Sequence, residues 1–530
     1  MKGAMKAFYV TTPIFYVNDV PHLGHAYAAL GADVQARFMR SRGREVVFST
    51  GTDEHGLKVE KASKEKGFAS PQALVDETAP RYNALWAKLG ITHDRFIRTT
   101  DADHKAVAAK FWSAVAANGY IEKRAYQGWY CVHEETFWPE SQLKQPGNHC
   151  PDCGRPTELA TEENYFFKQT AFVERLRAHL AAHPDFVQPE LRRNEILGSY
   201  LNAPDGVHDQ SISRSNFTWG IPVPGDPAQV IYVWFDALIN YITMAGWGTD
   251  EARFAKVWPA DVHIIGKDIL RFHAVLWPAM LMAAGIELPK KVFGTGLIMN
   301  DGVKMSKSLG NAIDPNDWIE RHGVDTVRYY LLREVPYGQD GSISEAGIAS
   351  RYNTELANDW GNLLSRTVAM AEKSLGGVVP PVPGADFAAD PLRAEIAALK
   401  ADYVPAMEGL LYHEALEAVF KRVRLANQYI DAQGPWKLAK DPALRPQLEN
   451  CLYTLMDFLR CVSWCLAPFM PASADRALVQ LGYAPGALVG GRGESRGATL
   501  DAALAFGQLP AGQKVTKGEG LFPRKEAAKA

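Results

Sequence analysis

Residues 7–56, "AFYVTTPIFYVNDVPHLGHAYAALGADVQARFMRSRGREVVFSTGTDEHG", carry the pattern that decides the fold. Residues 7–12, "AFYVTT", are a short β-prone run. A loop with Asn18, Asp19, Pro21 and Gly24 follows. Apolar residues then recur at helical spacing through "AYAALGADVQARFMRSRG", and Gly43 is placed to end that helix. Residues 46–50, "VVFST", are a second strand that runs into "GTDEHG". Strand, loop, helix, strand is the opening of a doubly wound, Rossmann-like α/β sheet.

Outward from this opening, "TDAD" predicts a capping box, with Asp103 three residues after Thr100. The helix it starts would show Val107, Ala108, Phe111 and Val115 on one face and stop at Gly119. Residues 120–226 change character: they are rich in aromatics, Gly and Pro, hold the "CPDC" knuckle, and read as a module inserted into the sheet domain. The α/β pattern resumes in "VIYVWFDALINYI", "DVHIIGKDILRFHAVLWPAMLMAAG" and "KKVFGTGLIM". Beyond about residue 345 the periodicity is helical, as in "YHEALEAVFKRVRLANQYIDAQ" and "PQLENCLYTLMDFLRCVSWCLAPFM", and predicts a helical bundle. Segments 370–390 and 482–500, heavy in Gly, Pro and Ala, read as loops, and the tail "GQKVTKGEGLFPRKEAAKA" as extended or partly disordered.

A chain of 530 residues exceeds what one core usually covers, so several domains are expected. A net charge of −3 argues against wholesale basic binding to nucleic acid, while 57 Lys and Arg leave room for a local patch. Six cysteines in so long a chain exclude a disulfide scaffold. Apolar runs are broken by charges well before the ~20 residues a membrane span needs. No secretory signal is read at the N-terminus, so a soluble protein of the cytoplasm is expected, monomeric and binding neither DNA nor membrane.

Two motifs carry the chemistry. "HLGH" (His22–His25) lies between the first strand and helix, and "KMSKS" (Lys304–Ser308) follows the late strands. Gly24 omits a Cβ where a nucleotide would approach flat, and the helix start offers N–H groups to phosphate. His22 and His25 can donate hydrogen bonds to phosphate oxygens. Lys304 and Lys307, in a loop flanked by "NDG" and "LGN", are cations that can engage a pentacovalent phosphorus selectively. No general base is required, because an attacking carboxylate is already ionised at neutral pH. Asp53 lies just past a strand end, where an α/β sheet places ligands.

In this order and context the motifs resemble those of the class I aminoacyl-tRNA synthetases. "TGTDEHG" (50–56), "YVWFDALINY" (232–241), "IIGKDILRFH" (264–273) and "GPWKLAK" (434–440) are similar to signatures of the methionyl-tRNA synthetase branch. The resemblance covers roughly residues 5–470. It implies that ATP, with Mg²⁺ on its phosphates, activates L-methionine as an adenylate. The acyl group then passes to the 3′ end of tRNA for methionine, initiator tRNA included, with the 2′-hydroxyl as first acceptor. Catalysis would fall to His22, His25, Lys304 and Lys307. Gly24, Gly266, Asp268, Ser306 and Ser308 would hold ATP and the adenylate, with Gly266 and Asp268 on the ribose.

Methionine would be held by Asp53 on its ammonium and by Ile14, Tyr16, Trp234, Ala237, Tyr241, Ile269 and His273, an aromatic pocket suited to a thioether. The anticodon would be read by Asn362, Arg366 and Trp436. The domains implied are 1–119 and 227–295 for the two halves of the catalytic domain, 120–226 for a connective insertion and 296–345 for the KMSKS loop and stem contacts. The bundle, 346–510, would bind the anticodon, and 511–530 would be the tail. An insertion of this size is too small for the editing modules of the leucine, isoleucine and valine enzymes.

The insertion is loop-rich and suited to a metal clip. Cys150 and Cys153 form one knuckle, and Cys131 precedes it with 18 residues between, within range of a partner knuckle. A fourth zinc ligand has no cysteine: His133 is preferred, one residue before regular spacing, and Glu134 at regular spacing is the alternative. His149 is adjacent to Cys150 and would strain to reach the same ion. Cys451, Cys461 and Cys465 follow helical spacing among Leu and Phe and read as inert core thiols.

Overall fold

The protein is described by a computed structural model over residues 6–17, 19–133, 136–138, 140–305, 313–487 and 498–524. The chain divides into two units. The first comprises Met1–Pro21, Val47–Ala87 and His93–Thr295, and the second His22–Val46, Lys88–Thr92 and Gly296–Ala530. No helix among the described residues is long and apolar enough to cross a membrane.

The first unit is built on a six-stranded sheet in the order Arg95–Arg98, Val46–Asp53, Phe8–Tyr16, Val262–Gly266, Val292–Thr295, Val187–Gln188. Its pairings on either side of Val262–Gly266, and at both edges, are parallel. Tyr9, Val10, Phe48, Ile264 and Ile265 are wholly buried, the near-continuous burial of strands covered on both faces. Strand order reverses between Phe8–Tyr16 and Val262–Gly266, so a crevice opens beyond their carboxyl ends.

Several expectations change on contact with the structure. The first strand runs on through Pro13 to Tyr16, because proline's fixed φ is compatible with extended chain even though it lacks an N–H. The helix after Thr100, Ala102–Ala117, has Asp101 at its cap and no side-chain capping bond. The Thr100 hydroxyl instead donates to the buried Glu54 carboxylate, and Asp103 pairs with Arg95 at 2.7 Å. Residues 120–226 form a four-stranded antiparallel sheet and two strands of a smaller three-stranded one, whose central strand, Asp226–Ile231, runs past the expected boundary; they also supply Val187–Gln188, the edge strand of the main sheet.

In the second unit the helix Leu23–Ser41 is anchored by a buried charge. Asp33 Oδ2 accepts from Arg37 and from Arg328, each at 2.7 Å, while Oδ1 accepts from the Thr92 amide and hydroxyl. Burial alone would raise the Asp33 pKa, but Arg37 and Arg328 outweigh it and hold the carboxyl well below its usual range. Helices Asn362–Leu375, Pro391–Glu408, Tyr412–Gln433, Arg445–Leu466 and Pro471–Gln480 make the bundle. The helix of 362–375 thus continues into the segment expected as a loop. Arg445–Leu466 is buried on nearly every side, and Cys451, Cys461 and Cys465 sit inside it, their thiols pushed up by burial.

The tail, expected to be extended or partly disordered, packs on the bundle as far as it is described. Val515, Leu521 and Phe522 are buried, and the Tyr352 hydroxyl donates to the Pro523 carbonyl at 2.7 Å. Hydrogen bonds add to these apolar contacts: the Arg476 guanidinium donates to the Leu521 carbonyl at 3.0 Å and the Lys517 amide to the Glu372 carboxylate at 2.9 Å.

Candidate active site

In the first unit, Ile14 and Tyr16 end one central strand, Gly266 ends its neighbour and Asp53 ends the next, so all four lie at the crevice edge of the sheet. The loop after Asp53 is fixed from two sides. Glu54 is fully buried and accepts from Thr52 at 2.6 Å and from Arg98 at 2.7 Å. Its carbonyl accepts from the Trp219 indole at 2.6 Å, and the Gly56 amide donates to the Trp219 carbonyl. Asp53, 2% exposed, is thereby held on a rigid support.

The aromatic residues form one assembly. Trp234 stacks flat on Phe272, with centroids 3.9 Å apart and planes within 7°. Tyr16 and His273 meet Trp234 edge-on at 6.4 and 6.3 Å. His273 Nδ1 faces the Ile269 carbonyl at 3.0 Å, an acceptor only, so Nδ1 carries the proton and Nε2 accepts from the Tyr241 hydroxyl at 2.8 Å. Burial drives the His273 pKa down to about 4 and keeps the ring neutral, while it pushes the Tyr241 phenol up. Ala237 is buried beside them; Ile14, Tyr16, Trp234 and Ile269 are half-buried and Asp268 is exposed. A Cβ at Gly266 would meet the Asp268 carboxylate at 2.4 Å, so glycine lets that side chain fold over the strand end.

The two motifs belong to the second unit. His22 caps the helix Leu23–Ser41: its Nδ1 accepts from the Gly24 amide at 3.1 Å, and His25 Nδ1 accepts from the His22 amide at 3.2 Å. The two rings stack with centroids 3.7 Å apart. Both Nδ1 atoms act as acceptors, so each neutral ring carries its proton on Nε2. The cap thus engages the Gly24 amide, one of the N–H groups at the helix start. Gly24 has a local reason to be glycine too, since a Cβ there would lie 3.0 Å from the His22 ring.

Lys304 begins the second motif on a two-residue strand paired with Met299. The preceding turn, Asp301–Gly302, has φ of 47° and 78°, the left-handed pair of a tight hairpin. Ser306, Lys307 and Ser308 lie outside the described residues, as do the contacts of the Lys304 side chain.

Cys131, Cys150 and Cys153 come together, with sulfurs all within 4.8 Å of one another and Cys131 Sγ 3.6 Å from Cys153 Sγ. Thiolates on a tetrahedral zinc, each about 2.3 Å from the ion, stand about 3.8 Å apart, so the three fit as three of four ligands. A hydrogen bond from Cys131 holds the Cys150 thiol down at about 6, whereas burial pushes Cys153 up. His133 does not join this group, and Glu134 lies outside the described residues.

In the bundle, Trp436 is 39% exposed rather than packed in the core. The Arg366 guanidinium lies 5.7 Å from its ring centroid and also pairs with Asp431. Asn362 is exposed one turn before Arg366 on the same helix.

Two features escaped the sequence reading. Asp236 is fully buried between His55, at 2.6 Å, and His104, at 2.7 Å. Burial would raise its pKa, but His55 and His104 prevail and hold it at about 2. Both His55 and Asp236 lie inside quoted signatures, and a charged residue between apolar neighbours was the available signal. Arg271 is the second: its guanidinium pairs with Asp152 at 3.0 Å, a partner far away in sequence.

The family profile described as "tRNA synthetases class I (M)" matches residues 8–368. The methionine–tRNA ligase of Caldanaerobacter subterraneus subsp. tengcongensis is 46% identical over 525 residues, covering 99% of this chain and 80% of that protein. The methionine–tRNA ligase of Bacillus subtilis is 43% identical, covering 98% and 78%. Mycobacterium tuberculosis methionyl-tRNA synthetase in complex with methionyl-adenylate superposes with a TM-score of 0.91 at 43% identity, covering 98% of this chain and 100% of that one. Match over nearly the whole chain, at identities far above what shared fold alone requires, establishes that the chain belongs to the methionyl-tRNA synthetases of class I.

Proposed function

We propose that this protein ligates methionine to its cognate tRNA in two steps. Methionine and ATP give methionyl-adenylate and pyrophosphate; the methionyl group then passes to the 3′-terminal adenosine of the tRNA, releasing AMP. The observation that carries this reading is the near full-length likeness to an enzyme solved with methionyl-adenylate.

The residue roles follow the same reading. The Asp53 carboxylate takes the methionine ammonium, a buried charge meeting an opposite one. The thioether enters the assembly of Ile14, Tyr16, Trp234, Ala237, Tyr241, Ile269 and His273, where polarizable sulfur meets ring edges. Neutral His273, held by Ile269 and Tyr241, presents no charge to an apolar side chain. Gly266 and Asp268 hold the ribose, and Gly24 and Ser306 and Ser308 line the phosphates. Nε2–H of His22 and of His25 donate to phosphate oxygens; Lys304 and Lys307 stabilise charge that grows on the equatorial oxygens and departing pyrophosphate. ATP is used as its Mg²⁺ complex. Asn362, Arg366 and Trp436 read the anticodon, with the half-open indole as a stacking platform.

Cys131, Cys150 and Cys153 supply three thiolates for a structural zinc that would clip the connective module. The direct test is methionine-dependent ATP–pyrophosphate exchange run against each of the other amino acids. Strong exchange with methionine alone is expected; comparable exchange with leucine or cysteine, or none with methionine, would overturn the assignment.

A further inference from the structure

Arg271 sits between two structures that the chain builds separately. On one side is the cysteine knuckle, whose small core holds Cys131, Trp138, Leu143 and Cys150. The Arg271 guanidinium lies 4.6 Å from the Trp138 ring of that core. It also pairs with Asp152, the residue between the two knuckle cysteines Cys150 and Cys153. On the other side the same guanidinium lies 4.4 Å from the Phe272 ring. Phe272 is in turn stacked on Trp234. Cation, phenyl ring and indole thus form one chain of contacts, with the knuckle at one end and the aromatic assigned to the pocket at the other.

A cavity of about 380 Å³ opens beside this chain of contacts, lined by Arg124, Trp138, Tyr200, His208, Arg271 and Phe272 among others. Phe272, buried in the main core, thus stacks on Trp234 and also contributes to the lining of this cavity. The guanidinium adds to the packing that holds this ring in its rotamer beside the cavity. Arg271 is 14% exposed in its side chain; its guanidinium lies 3.0 Å from the Asp152 carboxylate, without a hydrogen bond from Nη2, and is enclosed by the Trp138 and Phe272 rings. A planar guanidinium is suited to this: it stacks on rings and pairs with a carboxylate at once, where a lysine ammonium does only the second.

We propose that Arg271 is a positioning residue for methionine binding: held by Asp152 and Trp138 of the cysteine knuckle, it braces Phe272 against Trp234 and so fixes the wall of the methionine pocket. It touches no substrate. The knuckle, outside the chemistry, thereby acquires a mechanical link to substrate selection. The proposal rests on the reading of Trp234 as part of the methionine pocket.

The test is steady-state ATP–pyrophosphate exchange by the full chain, comparing wild type with Arg271→Met, Asp152→Asn, their double variant and Trp234→Ala. Methionine keeps bulk at position 271 without charge, and Asp152 is partly exposed, so neither change should unfold the protein. Arg271→Met is expected to raise the methionine KM roughly tenfold, the scale of a lost desolvated cation–π contact, while the ATP KM and kcat stay within about twofold. Asp152→Asn should move the methionine KM the same way but less, and the double variant should match Arg271→Met alone. Metal content per chain should equal that of wild type in both single variants.

An unchanged methionine KM in Arg271→Met, with a raised one in Trp234→Ala, would overturn the bracing role and leave the pocket intact. An unchanged methionine KM in Trp234→Ala would overturn the pocket reading and this proposal with it. Parallel rises in the methionine and ATP KM, or loss of metal in Arg271→Met, would mean that Arg271 serves the fold and not the pocket; multiplicative effects in the double variant would mean that Asp152 does not act through Arg271 and would overturn the link to the knuckle.

Discussion

Replacing Trp436 by alanine should separate the two halves of the reaction. The indole sits on the short helix Pro435–Leu438, opened by Gly434 in the left-handed region, and stays 39% exposed. The Arg366 guanidinium lies 5.7 Å from its ring centroid, and an unstacked anticodon base can take the exposed surface. A base stacked on an aromatic side chain contributes ~1–3 kcal/mol, so Trp436→Ala should lower kcat/KM for tRNA by roughly 5- to 150-fold. The ring is not part of the buried core, and the lost contact with Arg366 costs ~0.5–1 kcal/mol, so Tm should shift little. The assay pairs aminoacylation under limiting tRNA with ATP–pyrophosphate exchange without tRNA. Exchange should stay at wild-type level, and Trp436→Phe should recover most of the tRNA step. Equal losses in both assays would show that Trp436 supports the fold, and unchanged aminoacylation would remove it from tRNA recognition.

Three further outcomes can be checked. Asp33→Asn leaves Arg328, fully buried, with a weakened partner, so urea unfolding should show a loss of about 3–5 kcal/mol; a loss under 1 kcal/mol would mean the Arg37–Asp33–Arg328 cluster does not anchor its helix. His273 titrates at about 4 in the folded chain against 6.5 unfolded, so the unfolded state binds the extra proton between those values. That stability is fully present above pH 6.5 and is lost as pH falls towards 4, by about 3 kcal/mol from this group, with the pKa of neighbouring buried His263 lowered in the same sense. Denaturant melts from pH 7.5 to 4.5 should therefore show falling stability, and a His273→Gln variant should show a shallower fall; identical slopes would refute the assignment. Metal analysis of protein purified without chelator should find about one zinc per chain and much less after Cys131→Ser; equal content in both would sink the three-cysteine site.

Local pattern made the opening of the fold readable. The strand, loop and helix of residues 7–43 need only neighbours along the chain to declare themselves, and so do the bundle helices. Pairings between distant residues were not readable. Val187–Gln188 is two residues long and becomes a strand only because Val292–Thr295 offers it an edge. Thr100 looks like a helix cap until Glu54 takes its hydroxyl. The residues assigned to methionine come from resemblance alone, since Trp234 and Tyr241 have the composition of any core; geometry adds the tautomer of His273 and the Phe272 ring stacked on Trp234. Gly24 gains a second, local reason to be glycine that only the folded cap reveals, since a Cβ there would lie 3.0 Å from the ring of His22, two residues earlier.

Isolation of the intermediate tests the two-step ligation most directly. The protein is mixed with methionine and ATP in the absence of tRNA, freed of small molecules by gel filtration, and then given tRNA without further ATP. The expected result is a complex that retains methionyl-adenylate and delivers its methionyl group to the 3′-terminal adenosine of tRNA for methionine. A complex that holds no methionyl-adenylate, or one that forms as readily with leucine, would contradict it.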